Sequence, residues 1–369
     1  MTHSGADTAL ESRALSARTI AIAEGDGGGR ELLFFGGCSY LGLSHDERVL
    51  DAAARAMRDF GVSTSAARGT SGTTVLHREF EEELAEFAGA PAAALLPDAG
   101  LADLAVALAK VPRGARVFTG RDAHPCISDA LAAAGATGVE GDDPFAARLD
   151  GASVAFTDGT FPSAARVTDV AALRAARFEL LVIDDAHGFG VLGARGAGAA
   201  ERLDLSSDGE VLVAALSKGL GAAGGVVCGS RRTLDAVCAT SPFANTTALP
   251  PPIVAAARAA LALQKAEPER RVRLAALTTR MHGIVDALEA GPAVRSTAFP
   301  VRALAFDRVG RAASVHSHLR ELGVCVPLLT YPGGPAADWL RIAVNAAHTD
   351  ADLDTLAAAL RTALERTST

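Results

Sequence analysis

The feature that most constrains this chain is the regular alternation of short apolar runs with alanine-rich segments of helical spacing. Bulky, uninterrupted apolar runs of this kind are typical of strands that are buried on both faces of a sheet. The runs lie at Ala93–Leu96, Arg116–Thr119, Val154–Thr157, Leu180–Ile183, Val211–Leu216 and Gly225–Cys228. Because strands that alternate with helices form parallel sheets covered on both faces, the predicted fold class is α/β.

The length of 369 residues exceeds what one small core needs and fits a large domain plus a smaller one. We expect an N-terminal segment at 1–44 that packs with the small domain, a large domain at 45–254 and a small C-terminal α/β domain at 255–369. The N-terminal segment looks irregular, apart from a glycine-rich turn at Gly25–Arg30 and a strand at Leu32–Phe35.

Further elements are predicted from spacing on either side of this sheet. Helical spacing predicts helices at Asp46–Phe60 and His77–Phe87, with a Gly/Ser/Thr loop at Val62–Thr74 between them. The C-terminal domain is predicted to contain strands at Val301–Phe306, Val324–Leu329 and Leu340–Val344, and helices that begin near Arg311 and Asp350.

Composition and charge exclude several classes of function. The most apolar stretch, Ala92–Val111, is interrupted by Pro97, Asp98 and Asp103, so it is not a transmembrane segment. The net charge of -8 and the lack of a Lys/Arg run leave no electrostatic footprint for nucleic acid. The five cysteines are widely spaced without CxxC pairs, which indicates neither a disulfide framework nor a zinc site. We therefore expect a cytoplasmic protein without a metal centre, and the polar N-terminus argues against a signal peptide.

The predicted strand Leu180–Ile183 runs directly into two aspartates, Asp184 and Asp185, and then His187. Open α/β sheets place ligand sites at the carboxyl ends of their strands. This position makes Asp184 a candidate functional residue. A plainer alternative is that Asp185 caps a turn and that Asp184 pairs with a distant arginine.

Lys218 is a second candidate because Ser217 and Lys218 follow the predicted strand Val211–Leu216 and precede a glycine-rich turn. Only three of the 35 basic residues are lysines. Arginine would serve equally well as a solvated charge, whereas only lysine can lose its proton and form a Schiff base. A dinucleotide-binding loop is disfavoured, since the glycines do not follow the first strand in the GxGxxG spacing.

An amine and a carboxylate at the ends of neighbouring strands are what pyridoxal phosphate (PLP) requires, the amine for its aldehyde carbon and the carboxylate for its ring nitrogen. The chain from about residue 30 onward resembles the α-oxoamine synthase family, whose members have the PLP-dependent transferase fold type I. The matching stretches are Ser39–Val49, Ser71–Gly89, Asp122–His124, Asp184–Gly193, Ala215–Gly225, Thr246–Pro252 and Leu340–Thr349.

The resemblance implies a role for each matching residue around the cofactor ring. Lys218 is expected to bind the cofactor covalently and to remove the α-proton of the substrate. Asp184 is expected to face the pyridine nitrogen, and His187 to hydrogen-bond the phenolate oxygen. His124 matches the histidine that stacks on the pyridine ring. For both histidines, a satisfied core histidine is the open alternative.

The resemblance also implies a phosphate site and a substrate site. Backbone amides at Ala99 and Gly100 and the hydroxyl of Ser217 are candidates for the phosphate. Thr247 matches a residue that reaches the phosphate of the neighbouring subunit, which implies a homodimer with shared sites; a turn threonine is the alternative. Arg341 matches the arginine that binds the amino-acid carboxylate, with a surface arginine as its alternative.

Four positions depart from the family pattern. Cys38 stands where an asparagine that touches the substrate is usual, so a thiol replaces an amide. Asp98 stands where a serine begins the phosphate loop, and its carboxylate repels phosphate unless it points away. Ala215 removes a phosphate hydroxyl, and Pro162 replaces an expected serine.

These observations predict a cytoplasmic, homodimeric PLP enzyme. It is expected to condense a small amino acid with an acyl thioester, carried by CoA or by an acyl carrier protein, and to lose carbon dioxide. Other PLP chemistry stays open, namely transamination, decarboxylation, racemisation or another carbon–carbon bond formation. A catalytically silent homologue is a further alternative, although intact Lys218 and Asp184 argue against it.

Overall fold

The computed structural model describes residues 12–23, 29–161, 166–288, 299–306, 308–329 and 339–367. The strands of these residues are β1 Ser12–Ala14, β2 Thr19–Ala23, β3 Gly29–Phe34, β4 Ala92–Leu96, β5 Arg116–Gly120, β6 Thr137–Gly141, β7 Val154–Asp158, β8 Thr160–Phe161, β9 Arg166–Val167, β10 Leu180–Asp184, β11 Glu210–Ala215, β12 Gly225–Gly229, β13 Val301–Ala305, β14 Val324–Cys325, β15 Leu328–Leu329 and β16 Trp339–Ala343. The α-helices are α1 Glu47–Phe60, α2 Val75–Ala88, α3 Ala99–Lys110, α4 Pro125–Ala134, α5 Pro144–Leu149, α6 Val170–Ala175, α7 Arg231–Cys238, α8 Ser241–Ala244, α9 Pro251–Ala266, α10 Glu269–Ala287, α11 Arg311–Glu321 and α12 Asp350–Arg366.

These elements divide into two compact units. The larger unit consists of residues 46–161 and 167–268, and the smaller consists of the described residues of 1–45, 162–166 and 269–369. No helix within the described ranges is both long and apolar enough to cross a membrane.

The larger unit is built on a seven-stranded sheet with the order β4-β12-β11-β10-β7-β5-β6. Strands β11, β10, β7, β5 and β6 pair in parallel, and β12 is antiparallel to both of its neighbours. The prediction of a largely parallel sheet is therefore confirmed. The exception has a simple cause, because the connection at 216–224 is too short for the helical crossover that a parallel partner needs.

The strands at the centre of this sheet are buried as their apolar sequences predict. Val182 and Ile183 of β10 and Val211 and Val213 of β11 are fully inaccessible. Helices α3 and α4 begin directly after β4 and shortly after β5, with Asp98 and His124 as their N-caps. The polar residues that follow the strands therefore lie at one edge of a rigid, dry sheet.

The smaller unit contains a four-stranded sheet, β1-β2-β3-β14, and a three-stranded sheet, β13-β16-β15. The expectation of an irregular N-terminal segment was wrong for β1 and β2, because β1 pairs antiparallel with β2 and β2 pairs antiparallel with β3. The missed signal is the alternation in Thr19–Ala23, where Ile20 and Ile22 are buried between smaller residues. Most of the predicted turn at Gly25–Arg30 falls outside the described residues, and Gly29 already begins β3.

The predicted strand Val324–Leu329 is two strands rather than one. Val324 and Cys325 pair with β3 in parallel, and Leu328 and Leu329 pair with β16 antiparallel. Pro327 lies between them and has no N–H to donate to a ladder, so the chain passes from one sheet to the other at this point.

Candidate active site

Three neighbouring parallel strands end in or next to charged residues at the same edge of the seven-stranded sheet. Asp158 is the last residue of β7 and pairs in register with Asp184, the last residue of β10. Lys218 follows β11, the strand on the other side of β10. Asp158 and Asp184 are 5% and 3% exposed, so both carboxyl groups are withdrawn from bulk water.

Asp184 is held by its own loop, because its Oδ1 accepts a hydrogen bond of 2.9 Å from the N–H of Ala186. Burial raises the pKa of the Asp184 carboxyl. The positive charge of Lys218 and the hydrogen bond from the Ala186 N–H act in the opposite direction and favour the carboxylate. Among the described residues no arginine pairs with Asp184, so the plainer alternative of an Asp–Arg pair does not hold there.

Asp185, by contrast, organises the loop after β10. Its Oδ2 accepts a hydrogen bond of 2.6 Å from the N–H of Ala199, and its own N–H donates to the carbonyl of Val213. The loop closes so tightly that a Cβ on Gly198, whose φ is +62°, would lie 1.9 Å from Asp185 Oδ2. Burial raises the pKa of Asp185 to about 7. Asp185 is therefore a structural residue, as the turn-capping alternative held.

Lys218 lies in the connection between β11 and β12. That connection is closed by hydrogen bonds from Leu216 N–H to the Gly224 carbonyl, 2.9 Å, and from Ala222 N–H to the Leu216 carbonyl, 3.2 Å. Gly219 packs against the loop after β10, where an added Cβ would meet the carbonyl oxygen of Phe189 at 2.3 Å. Within the described residues Lys218 Nζ forms no hydrogen bond or ion pair, so its amine is available to a ligand.

The two candidate histidines occupy different environments. His187 is 8% exposed in the loop that Asp185 organises. His124 is the N-cap of α4, and its backbone N–H donates to Asp158 Oδ2 at 2.8 Å. Its Nδ1 accepts from the N–H of Cys126 at 3.3 Å. Burial lowers the pKa of His124; the negative charge of Asp184 opposes this shift and the positive charge of Lys218 adds to it. Because the net shift is downward, we expect a neutral imidazole.

Two residues that the sequence analysis did not select lie beside Asp184. Asp103, on α3, is fully buried, and its Oδ2 accepts a hydrogen bond of 3.0 Å from the thiol of Cys126 on α4. One carboxyl oxygen of Asp103, one carboxyl oxygen of Asp184 and the Sγ of Cys126 lie within 4.8 Å of one another. In the sequence Asp103 is visible only as a charged interruption of an apolar helix, which does not indicate its partner.

Asp158 was also missed, although its signal was present. It follows the apolar run Val154–Thr157 as Asp184 follows Leu180–Ile183. Burial raises the pKa of Asp158 well above its usual range, and the negative charge of Asp184 raises it further. The hydrogen bond from the N–H of His124 opposes this shift.

The candidate phosphate residues lie at the start of α3 and after β11. Ala99 and Gly100 are the first two residues of α3, and Ser217 is exposed. Asp98 acts as the N-cap of α3, since its Oδ1 accepts a hydrogen bond of 2.8 Å from the N–H of Leu101. Its carboxylate therefore lies at the start of α3 and already accepts a hydrogen bond from one of the N–H groups there. The methyl group of Ala215 is buried and offers no hydroxyl.

Thr247 is exposed and forms an isolated antiparallel bridge with Ala67. The next residue, Ala248, donates its N–H to the carbonyl of Ala66 at 3.1 Å. The segment around Thr247 is therefore fixed against the glycine-rich loop after α1. Pro162 lies outside the described residues.

Cys38 and Arg341, the two candidate substrate residues, belong to the smaller unit and lie together. Arg341, on β16, approaches Cys38 Sγ with its Nη2 at 3.7 Å and the carbonyl oxygen of Gly36 at 3.4 Å. Gly36 itself is closely packed, because an added Cβ would lie 2.2 Å from the ring of Pro327. The thiol therefore contacts the guanidinium that the resemblance assigns to the substrate carboxylate.

The donor set in the larger unit fits PLP. A carboxylate offers about four acceptor positions, and the buried Asp184 receives one backbone N–H, so a protonated ring nitrogen would supply a missing donor. Lys218 supplies a free amine one strand away. The start of α3 fits an anion less well, since Asp98 places a negative charge there.

The comparisons with known proteins agree with this donor set. The family model described as aminotransferase class I and II matches residues 152–360. The 8-amino-7-oxononanoate synthase of Hahella chejuensis is 33% identical over 342 residues, covering 89% of this chain and 86% of that protein. The protein of the same name from Pseudomonas aeruginosa is 34% identical over 345 residues, covering 90% of this chain and 86% of that protein.

Solved structures show the same fold. A serine palmitoyltransferase from S. paucimobilis with bound PLP matches with a TM-score of 0.89 and 24% identity, covering 97% of this chain and 92% of that one. The 8-amino-7-oxononanoate synthase of Francisella tularensis matches with a TM-score of 0.77 and 23% identity, covering 91% and 98% of the two chains.

The fold and its strand-end residues thus define a PLP-dependent transferase of fold type I. The chain belongs to the aminotransferase class I and II family and, within it, to the α-oxoamine synthases. This membership removes the dinucleotide-binding alternative.

Proposed function

We propose that this protein condenses a small amino acid with an acyl thioester. The new bond joins the amino-acid α-carbon to the acyl carbon, the thiol leaves, and the carboxylate departs as carbon dioxide, which yields an α-amino ketone. One observation carries this proposal: Lys218 and Asp184 lie at neighbouring strand ends in a chain that is 33% identical to an 8-amino-7-oxononanoate synthase.

Bound PLP supplies an electron sink for the charge that develops at the α-carbon. In the proposal Lys218 Nζ binds the cofactor and later accepts the proton from that carbon. Asp184 keeps the proton on the ring nitrogen, which its buried, negatively charged position favours. His187 donates to the phenolate oxygen, and His124 packs against the ring as a neutral imidazole.

The phosphate is proposed to bind the backbone N–H groups of Ala99 and Gly100 and the hydroxyl of Ser217. Thr247 is proposed to reach the phosphate of a second copy of the chain, so that the enzyme works as a homodimer with shared sites. Support comes from its exposure and from the bridge to Ala67 that fixes its position.

On the substrate side, Arg341 is proposed to bind the amino-acid carboxylate through two parallel hydrogen bonds. Cys38 contacts this guanidinium and offers only a weak donor and a weak acceptor. We therefore propose that Cys38 changes which amino acid is preferred. CoA or an acyl carrier protein would carry the acyl group, and the five free cysteines suit a reducing cytoplasm.

The first test is the cofactor bond. Borohydride reduction of purified holoenzyme, followed by peptide mass spectrometry, is expected to place the cofactor on Lys218. Lys110 and Lys265, the other two lysines, are internal controls. A cofactor found on either of them, or on none, contradicts the proposal.

The second test separates the reaction types. Each amino acid is incubated with enzyme in D2O, and exchange of its α-proton is followed by NMR with and without an acyl thioester. The proposal expects exchange without thioester, and carbon dioxide release with stoichiometric free thiol only when thioester is present. Carbon dioxide release without thioester would instead identify a decarboxylase, and no exchange at all would identify a silent homologue.

A further inference from the structure

Asp103 is a fully buried carboxyl group that the proposed mechanism does not use. It lies on α3, and its Oδ2 accepts the hydrogen bond from the thiol of Cys126. Its other oxygen, Oδ1, is inaccessible to solvent and meets no hydrogen-bond donor in the described part of the chain. A buried carboxyl oxygen in this position has lost its water without receiving a donor in return.

The neighbour of Asp103 is a second carboxyl group, that of Asp184. One carboxyl oxygen from each of the two side chains and the Sγ of Cys126 lie within 4.8 Å of one another. Two ionised carboxylates have only acceptors, so they cannot hydrogen-bond each other. A carboxyl pair at this distance in a dry site therefore shares one proton.

The surrounding charges decide which member holds the proton. The positive charge of Lys218 favours the carboxylate of Asp184. Around Asp103 the structure places the thiol of Cys126 and the carboxyl groups of Asp184 and Asp158. Burial raises the pKa of Asp103 well above its usual range, and the negative charge of Asp184 raises it further. Burial also raises the pKa of Cys126, so its thiol keeps its proton; the Sγ lies 3.0 Å from Asp103 Oδ2 and 2.8 Å from His124 Nδ1.

We propose that Asp103 is a positioning residue, a neutral carboxylic acid whose O–H donates to the Asp184 carboxylate. This inference rests on the proposed function, because it concerns how Asp184 meets the cofactor. The donated hydrogen bond stabilises the ionised form of Asp184 and limits its rotation. Asp184 would then leave the proton of the ring nitrogen in place instead of taking it up itself.

Two substitutions separate hydrogen bonding from packing. Asp103→Asn keeps a donor towards Asp184 and cannot ionise, whereas Asp103→Leu keeps an apolar side chain of similar size and donates nothing. A hydrogen bond to a charged group corresponds to about a tenfold to hundredfold change in a rate. We expect α-proton exchange of Asp103→Leu to fall by about that factor below Asp103→Asn, at equal cofactor content. Equal rates in the two variants would overturn the proposal.

An infrared spectrum gives a readout that does not depend on activity. Wild-type holoenzyme at neutral pH is expected to show a carboxylic acid C=O band that shifts in D2O and loses intensity in Asp103→Asn. Asp235→Asn, the same change at an exposed aspartate of α7, is the matched control and leaves the band unaltered. A band of full intensity in Asp103→Asn would show that Asp103 is ionised.

The two measurements also separate this inference from the proposed function. If wild-type enzyme exchanges no α-proton, the proposed function fails, and the infrared band still decides whether Asp103 is a carboxylic acid. If exchange is present and the band keeps its full intensity in Asp103→Asn, the proposed function stands and the role of Asp103 is refuted.

Discussion

The substitution Asp184→Asn tests the centre of the site. Asparagine has nearly the same shape and can still accept the Ala186 N–H, so the loop after β10 is expected to keep its conformation. The change removes a negative charge from a position that is 3% exposed, where solvent screens little. A hydrogen bond between charged groups contributes about 1.5–3 kcal/mol. Each 1.36 kcal/mol corresponds to about a tenfold change in rate. The rate of α-proton exchange should therefore fall by about tenfold to hundredfold.

Asp184→Asn is expected to lower activity without lowering the stability of the folded protein. Because burial raises the pKa of Asp184, the ionised carboxyl costs folding free energy at neutral pH, and a neutral amide does not carry that cost. The apoprotein of Asp184→Asn should therefore unfold at no lower temperature than wild type. Exchange is followed by NMR in D2O, with cofactor content measured after borohydride reduction and Asp235→Asn as the control. Near-normal exchange in Asp184→Asn would refute the assignment, and a joint loss of exchange and stability would point to a structural role.

Three further substitutions test the rest of the site. Arg341→Lys should raise the apparent KM for the amino acid by about tenfold or more, with cofactor content unchanged, since lysine cannot make the second of two parallel hydrogen bonds; an unchanged KM would contradict this. The pKa of Asp185 in the folded protein, about 7, lies above its ordinary value of 3.8. The contribution of Asp185 to the free energy of unfolding is therefore full at low pH. It decreases as the pH rises from about 4 to about 7, by up to about 1.4 kcal/mol per pH unit. Denaturant titrations should show that Asp185→Asn flattens this decrease, and a wild-type slope in the variant would contradict it. Asp98→Ser keeps an N-cap for α3 and removes a negative charge, so the apoenzyme should bind PLP more tightly in a fluorescence titration, and weaker binding would show that the Asp98 charge does not face the phosphate.

The sequence predicted the strands of the larger unit well, because a strand buried on both faces needs a continuous apolar run and leaves that run in the sequence. Asp184 and Lys218 could be selected for the same reason, since each lies just after such a run. Asp158 carried the same signal and could have been selected with them. The apolar run of a strand buried on both faces therefore predicts the strand and also shows which polar residue stands at its end.

What the sequence could not show depends on contacts between distant segments. The pairing of Asp103 with Cys126 joins α3 to α4, and neither residue interrupts its helix in a way that indicates a partner. The division of Val324–Leu329 between two sheets depends on which neighbour each half meets, although Pro327 was a visible reason for a break.

The departures from the family pattern act on the site without disturbing the fold, because fold and site use different atoms of the same residues. Aspartate is as good an N-cap as serine, so α3 begins at Ala99 whichever of the two occupies position 98, but only aspartate brings a negative charge to that point. Ala215 pairs with Gly225 within the ladder of β11 and β12, so its methyl group does not interrupt the strand. The strands that carry Lys218 and Asp184 are therefore unaffected. We expect the departures to appear first in cofactor affinity and only afterwards in the chemistry at the α-carbon.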